Sequence, residues 1–123
     1  MRALIVDESG SGKSPMSGAL ADAGFQVLET GDSVEALDAL RDRGGVDLAL
    51  VDWDLPEAQG LRFALALRSA RCFDRTRLIM LTREPSTAEI LGAIRMGVDD
   101  CIVKPFSRKK LGDKLARLKL TRT

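Results

Sequence analysis

Four short apolar runs in this chain stop at residues able to do chemistry. Ala3-Leu4-Ile5-Val6 runs into Asp7-Glu8, and Leu48-Ala49-Leu50-Val51 into Asp52-Trp53-Asp54-Leu55-Pro56. Leu78-Ile79-Met80-Leu81 stops at Thr82, and Cys101-Ile102-Val103 at Lys104-Pro105. An unpaired carboxylate beside an apolar core is costly, so an acid at the tip of a buried strand needs a reason. For one such acid, capping the following loop is reason enough; acids at two strand ends, with a hydroxyl and an amine at two more, ask for another. If the ends converge, Asp7, Glu8 and Asp52 form a cluster in which two carboxylates about 4 Å apart repel by roughly 4 kcal/mol at an effective dielectric of about 20. A cation relieves that repulsion, and hard oxygen ligands in an open, hydrated site favour Mg²⁺. A divalent ion and Lys104 to neutralise equatorial oxygens, Thr82 to donate a hydrogen bond, and Asp52 as in-line nucleophile are parts suited to phosphoryl transfer, leaving an acyl phosphate on Asp52.

Five strands and five helices must position these groups. The strands are predicted at Ala3–Val6, Phe25–Glu29, Leu48–Asp52, Leu78–Thr82 and Cys101–Val103. Ser14 before Pro15 starts the first helix, with Met16, Ala19, Leu20 and Ala23 at helical spacing and Gly24 as its stop. Asp32 with Glu35 makes a capping box for a second helix buried through Val34, Leu37 and Leu40 and broken by Gly44-Gly45. Gly60 opens a third, with Leu61, Ala64, Leu65 and Leu67 as its apolar stripe. Ser86 with Glu89 caps the helix of Ile90, Leu91 and Ile94, which Gly97 ends; Ser107 caps the last, which holds Leu111, Leu115 and Leu118. Strict strand–helix alternation demands right-handed crossovers and an α/β, doubly wound parallel sheet with helices on both faces. In the order 2-1-3-4-5, strands one and three flank the switch point, and Asp7, Glu8 and Asp52 meet there with Thr82 and Lys104 at the border.

The 123 residues fit one domain spanning 1–123, without room for a separate output or DNA-binding domain. With 19 Lys+Arg against 18 Asp+Glu there is no chain-wide basic field for nucleic acid. Two cysteines, Cys72 and Cys101, are too few for a disulfide framework, and the start of the chain reads neither as a signal peptide nor as a membrane span. The expected location is the cytoplasm.

The motifs Val6-Asp7-Glu8, Val51-Asp52-Trp53-Asp54-Leu55-Pro56 with Gly60, Leu81-Thr82 and Val103-Lys104-Pro105-Phe106, in this order and spacing, resemble those of response-regulator receiver domains of the CheY-like, flavodoxin-like type. The resemblance runs over essentially the whole chain. It implies phosphoryl transfer from a histidine kinase or phosphotransfer protein to Asp52, with the domain acting as a signalling phosphoacceptor rather than as an enzyme on other substrates. It implies Mg²⁺ held by Glu8, Asp52 and the backbone carbonyl of Asp54, with Asp7 helping through water. Lys104 and Thr82 then reach the phosphoryl group, and the Lys104-Pro105 bond is cis. Asp54 and Glu84 flank the site and tune hydrolysis of the acyl phosphate; Trp53 is a loop-anchored aromatic beside it. Three departures from the family pattern stand out. Arg83 replaces the usual small residue after the threonine, Cys101 replaces the aromatic of the fifth strand, and Gly10, Gly12 and Pro15 delay the first helix.

Two other readings are compatible with parts of the chain. An adaptor of receiver fold that works without phosphorylation is suggested by Arg83 and Cys101, since fold does not fix function. Gly12-Lys13-Ser14 suggests a P-loop, but Asp7 stands where that loop needs glycine, and its carboxylate would face the phosphates. Arg95 and the basic run Arg108, Lys109, Lys110, Lys114, Arg117, Lys119 and Arg122 mark the surface expected to dock a downstream, acidic protein target, although a solvated charged face is the plainer reading of that run. Whether the phosphorylated form pairs into a homodimer is left open by the residues.

Overall fold

A computed structural model describes residues 1–7, 15–105 and 107–120 of the chain. Glu8, Gly10, Gly12, Lys13, Ser14, Phe106 and Arg122, each invoked above, lie outside the described residues. Strands β1 (Arg2–Val6), β2 (Gln26–Thr30), β3 (Leu48–Asp52), β4 (Arg77–Thr82) and β5 (Asp100–Val103) alternate with helices α1 (Pro15–Asp22), α2 (Ser33–Arg43), α3 (Gln59–Ser69), α4 (Thr87–Arg95) and α5 (Arg108–Arg117). All strand pairs are parallel and the order is β2-β1-β3-β4-β5, the expected doubly wound arrangement.

Side chains alternate across a strand, so the odd and even positions of each apolar run feed different layers. Ala3, Ile5, Leu48, Leu50, Ile79, Leu81 and Ile102 pack under α1 and α5, against Met16, Ala19, Leu20, Leu111 and Leu115. Leu4, Val6, Ala49, Val51, Leu78 and Met80 pack on the opposite face, against Ala36 and Leu40 of α2, Phe63, Ala64 and Leu67 of α3, and Ala93 of α4. Every residue of β3 is buried, which explains its unbroken apolar run.

The helix starts follow the capping residues. Asp32, Ser86 and Ser107 accept hydrogen bonds from the backbone N–H of Glu35, Glu89 and Lys110, each three residues on. Gly44 closes α2 in the left-handed region at φ 73°, where a side chain is disfavoured.

Three helices rotate differently from the expected stripes. In α2 the buried residues are Ala36 and Leu40, with Leu37 half-buried, while Val34 is 68% exposed. Two residues from Ala36 is about 200° around a helix, so Val34 faces water. In α3 the inward set is Gly60, Phe63, Ala64 and Leu67, which turns Leu61 and Leu65 outward. The aromatic Phe63 takes the core position because it fills more of the space under the sheet. In α4 only Ala93 is buried; Ile90 is half-buried, and Leu91 and Ile94 are exposed.

Candidate functional site

The register puts the strand tips side by side. Val6 of β1 pairs with Val51 of β3, so Asp7 and Asp52 follow at adjacent carboxyl ends. Asp52 pairs with Leu81 of β4 and Thr82 with Val103 of β5, and the N–H of Lys104 donates to the Thr82 carbonyl at 2.8 Å. Asp7, Asp52 and Lys104 carry the parity of the α1/α5 layer and line one cavity of about 270 Å³ with Pro15, Met16, Leu81 and Pro105. The Lys104-Pro105 peptide bond is cis, as the family resemblance implies.

Asp52 is buried and its carboxylate is held on one side. Its Oδ1 accepts from Lys104 Nζ at 2.9 Å and from the backbone N–H of Asp54 at 2.9 Å. No described residue bonds its Oδ2. Lys104 Nζ also donates to Asp54 Oδ2 at 3.2 Å, and Thr82 Oγ1 donates to Asp54 Oδ1 at 3.2 Å. The cation that a carboxylate cluster requires is thus supplied in part by the chain itself. Burial is the largest single influence on the Lys104 ammonium and lowers its pKa. The hydrogen bonds and charges of Asp52 and Asp54 together outweigh it, and the pKa stands above the ordinary 10.5.

Second-layer contacts fix the strand tip. The Trp53 N–H donates to the Leu81 carbonyl at 2.7 Å, and the Trp53 side chain is half-buried. Behind it, Gly60 packs so closely that a Cβ there would lie 2.8 Å from the Asp52 carbonyl oxygen and 3.2 Å from Trp53 Cα. Only a residue without a side chain allows α3 to begin against the end of β3.

Among the described residues, no three acidic, histidine or cysteine side chains cluster as a metal cage. Glu8, the third expected acid, is not among them. The described donors still fit Mg²⁺. That ion uses one or two carboxylates and keeps several waters, and Asp7 and Asp52 share one cavity with room for both.

The remaining expected residues fall around this centre. Arg83 and Glu84 are exposed beyond Thr82. Cys101 is half-buried on β5, where burial first, with Asp100 adding and Lys114 opposing, raises its thiol above 9.0. Arg95 is exposed at the end of α4. The basic run is less free than a solvated face. Lys114 and Arg117 pair with Asp100 at 2.9 and 3.7 Å, and Arg108 pairs with Asp22 of α1 at 2.5 Å. β2 ends in Thr30, a polar tip the sequence reading did not credit, but its hydroxyl is spent on the Ile5 carbonyl.

The resemblance gives Asp54 a backbone carbonyl for the metal and a place at the edge of the site tuning hydrolysis; what it did not give is the contact in the fold, where the Asp54 carboxylate ties Thr82 to Lys104. The place of Asp54 two residues after Asp52 was the available signal, since an aspartate side chain commonly accepts from the backbone N–H two residues on, here at 2.9 Å, and so turns that residue back beside the strand tip.

A family model for the response regulator receiver domain matches residues 3–116. A chemotaxis protein CheY homolog of Campylobacter jejuni is 34% identical over 116 residues, covering 94% of this chain and 89% of that protein. The chemotaxis protein CheY1 of Helicobacter pylori is also 34% identical, covering 94% of each chain. Among solved structures, the chemotaxis response regulator CheY4 of Vibrio cholerae superimposes with a TM-score of 0.84 at 31% identity, over 95% of this chain and 97% of that one. The receiver domain of a sensor histidine kinase from Pseudomonas aeruginosa, described with a magnesium ion coordinated in its active-site cleft, shares the fold at a TM-score of 0.80 and 23% identity, covering 95% of each.

Proposed function

The chain belongs to the response-regulator receiver domain family and is a CheY-like component of two-component signalling; from that premise we propose that Asp52 is its phosphoacceptor. The observation that carries the reading is the 2.9 Å bond from Lys104 to a buried Asp52 in a cavity shared with Asp7. In the transfer, an Asp52 carboxylate oxygen forms a bond to phosphorus as the bond from phosphorus to the leaving group breaks. The pair of electrons departs with the donor's imidazole nitrogen, or with acetate when acetyl phosphate is the donor. Lys104 and Thr82 bind the equatorial oxygens of the product, and the hydrogen bond from the Asp54 N–H holds the Asp52 carboxylate in line.

Asp7, Asp52, the Asp54 backbone carbonyl and, by family resemblance, Glu8 are the residues to hold Mg²⁺. When bound, the ion neutralises charge on the transferring group and the attacking carboxylate. Donors are a histidine kinase or phosphotransfer protein. Output passes by protein–protein contact through the surface of α4, β5 and α5, where exposed Leu91, Ile94 and Val103 lie with the exposed basic residues Arg95, Lys109 and Lys110. An acidic partner with an apolar stripe fits that surface. Among the described residues no helix is long and apolar enough to cross a membrane, and a cytoplasmic site of action agrees with this.

Incubation with acetyl phosphate and Mg²⁺, followed by intact mass, tests the reading. The wild type gains one phosphoryl group and Asp52→Asn gains none. Equal gain in both would place the acceptor elsewhere, and no gain in either would favour the phosphorylation-independent adaptor.

A further inference from the structure

We propose that the Asp54 side chain is an internal stand-in for the phosphoryl group, holding Lys104 and Thr82 until transfer to Asp52 displaces it. The proposal rests on Asp52 as acceptor and concerns how readily the same site accepts its substrate.

Three features of the geometry carry it. First, the two oxygens of Asp54 divide between the two side chains that await a phosphoryl group: Oδ1 takes the Thr82 hydroxyl and Oδ2 the Lys104 ammonium, each at 3.2 Å. Two oxygens of one anionic group thus reproduce the contacts of two equatorial phosphoryl oxygens. Second, the occupancy is exclusive at Thr82. A threonine hydroxyl has a single proton to donate, so it cannot serve Asp54 and a phosphoryl oxygen together. Lys104 has three protons, of which Asp52 and Asp54 take two. Third, the carboxylate can leave. The Asp54 side chain is 36% exposed against 12% for Asp52, so it rotates into water and is rehydrated, whereas Asp52 stays in place.

An acceptor site closed by its own acid is slow to load from weak donors and depends on a donor able to displace the acid. Releasing the latch exchanges one half-exposed ion pair and one neutral-donor hydrogen bond for contacts to water, a net of ~1 kcal/mol, or about five-fold in rate or affinity.

The test uses the full chain at saturating Mg²⁺, so that a change in metal affinity does not enter. Phosphorylation by acetyl phosphate is timed by intact mass, and beryllofluoride binding is titrated by Trp53 fluorescence. Wild type, Asp54→Ala, Asp54→Asn and Asp52→Asn are compared after circular dichroism has shown each folded. Asp54→Ala is expected to load about five-fold faster and to bind beryllofluoride about five-fold more tightly. Asp54→Asn, which keeps an acceptor for Thr82 but loses the charge on Lys104, falls between. A wild type that loads while Asp54→Ala is equal or slower overturns the latch and leaves Asp52 as acceptor. Loading of Asp52→Asn overturns the acceptor assignment instead, whatever Asp54 does.

Discussion

Gly60 is where the packing of the fold and the placement of Asp52 meet, and Gly60→Ala separates the two with a sign that is easy to read. Within a helix, alanine is favoured over glycine by about 1 kcal/mol. At Gly92 in α4 and Gly112 in α5, a new Cβ meets nothing within 4 Å, so Gly92→Ala and Gly112→Ala should each stabilise the protein by ~0.5–1 kcal/mol. At Gly60 the same methyl would lie 2.8 Å from the Asp52 carbonyl oxygen, 3.2 Å from Trp53 Cα and 3.3 Å from Trp53 Cε3. The two nearest are backbone atoms of the segment anchored by the Trp53–Leu81 hydrogen bond, so they cannot give as a side-chain tip would. Overpacking of this kind costs ~1–3 kcal/mol, which cancels or exceeds the helix gain. The expected gap between Gly60→Ala and Gly112→Ala is therefore ~1–3 kcal/mol, or about 4 °C in Tm per kcal/mol at this chain length. Urea unfolding followed by Trp53 fluorescence and, independently, by far-UV circular dichroism measures it. The clash falls on the backbone of Asp52, so with Asp52 as the proposed acceptor the same variant is expected to take up phosphoryl groups more slowly. A Gly60→Ala protein as stable as Gly112→Ala would refute the claim that α3 is pressed against the strand tip.

Arg68 is the second test of the fold's wiring. Its guanidinium donates to the Gly97, Phe73 and Thr76 carbonyls and to Asp99 Oδ2, joining α3 to the loops that lead into β4 and β5, and Arg68→Ala should cost about 3 kcal/mol in chemical unfolding because partly buried acceptors lose their donor. An unchanged urea midpoint would reduce these bonds to ornaments of the surface. The third test is pH. Lys104 has a folded pKa raised above its ordinary 10.5, so the stability it lends is fully present below 10.5 and is lost as pH rises through the folded value. The Cys101 thiol, raised above 9.0, adds a loss of the same sign that begins above 9.0. Thermal unfolding of wild type and Lys104→Met should therefore differ by a constant amount from pH 7 to 9 and converge above 10.5; a gap that widens with alkalinity would contradict the sign.

Much of this molecule is determined locally. Apolar runs of three or four residues, each stopped by a polar group, mark strands because a parallel sheet buried on both faces tolerates no polar interruption. Asp32, Ser86 and Ser107 announce helix starts because the first backbone N–H groups of a helix lack partners. Strand–helix alternation then leaves few topologies, and the doubly wound one brings Asp7, Asp52, Thr82 and Lys104 to a single edge. The tertiary structure alone decided which helical face turns inward. The stripes containing Leu61 and Leu65, or Phe63 and Leu67, both satisfy helical periodicity, and only the shape of the sheet beneath α3 selects the second. It also decided the partners of long and charged side chains, whose reach spans several positions. The tie of Asp54 to Thr82 and Lys104, and of Arg68 to Asp99, joins residues 28 to 50 positions apart in the chain. Periodicity reports which way a residue faces along its own element; it carries no information about what another element places within hydrogen-bond distance of it.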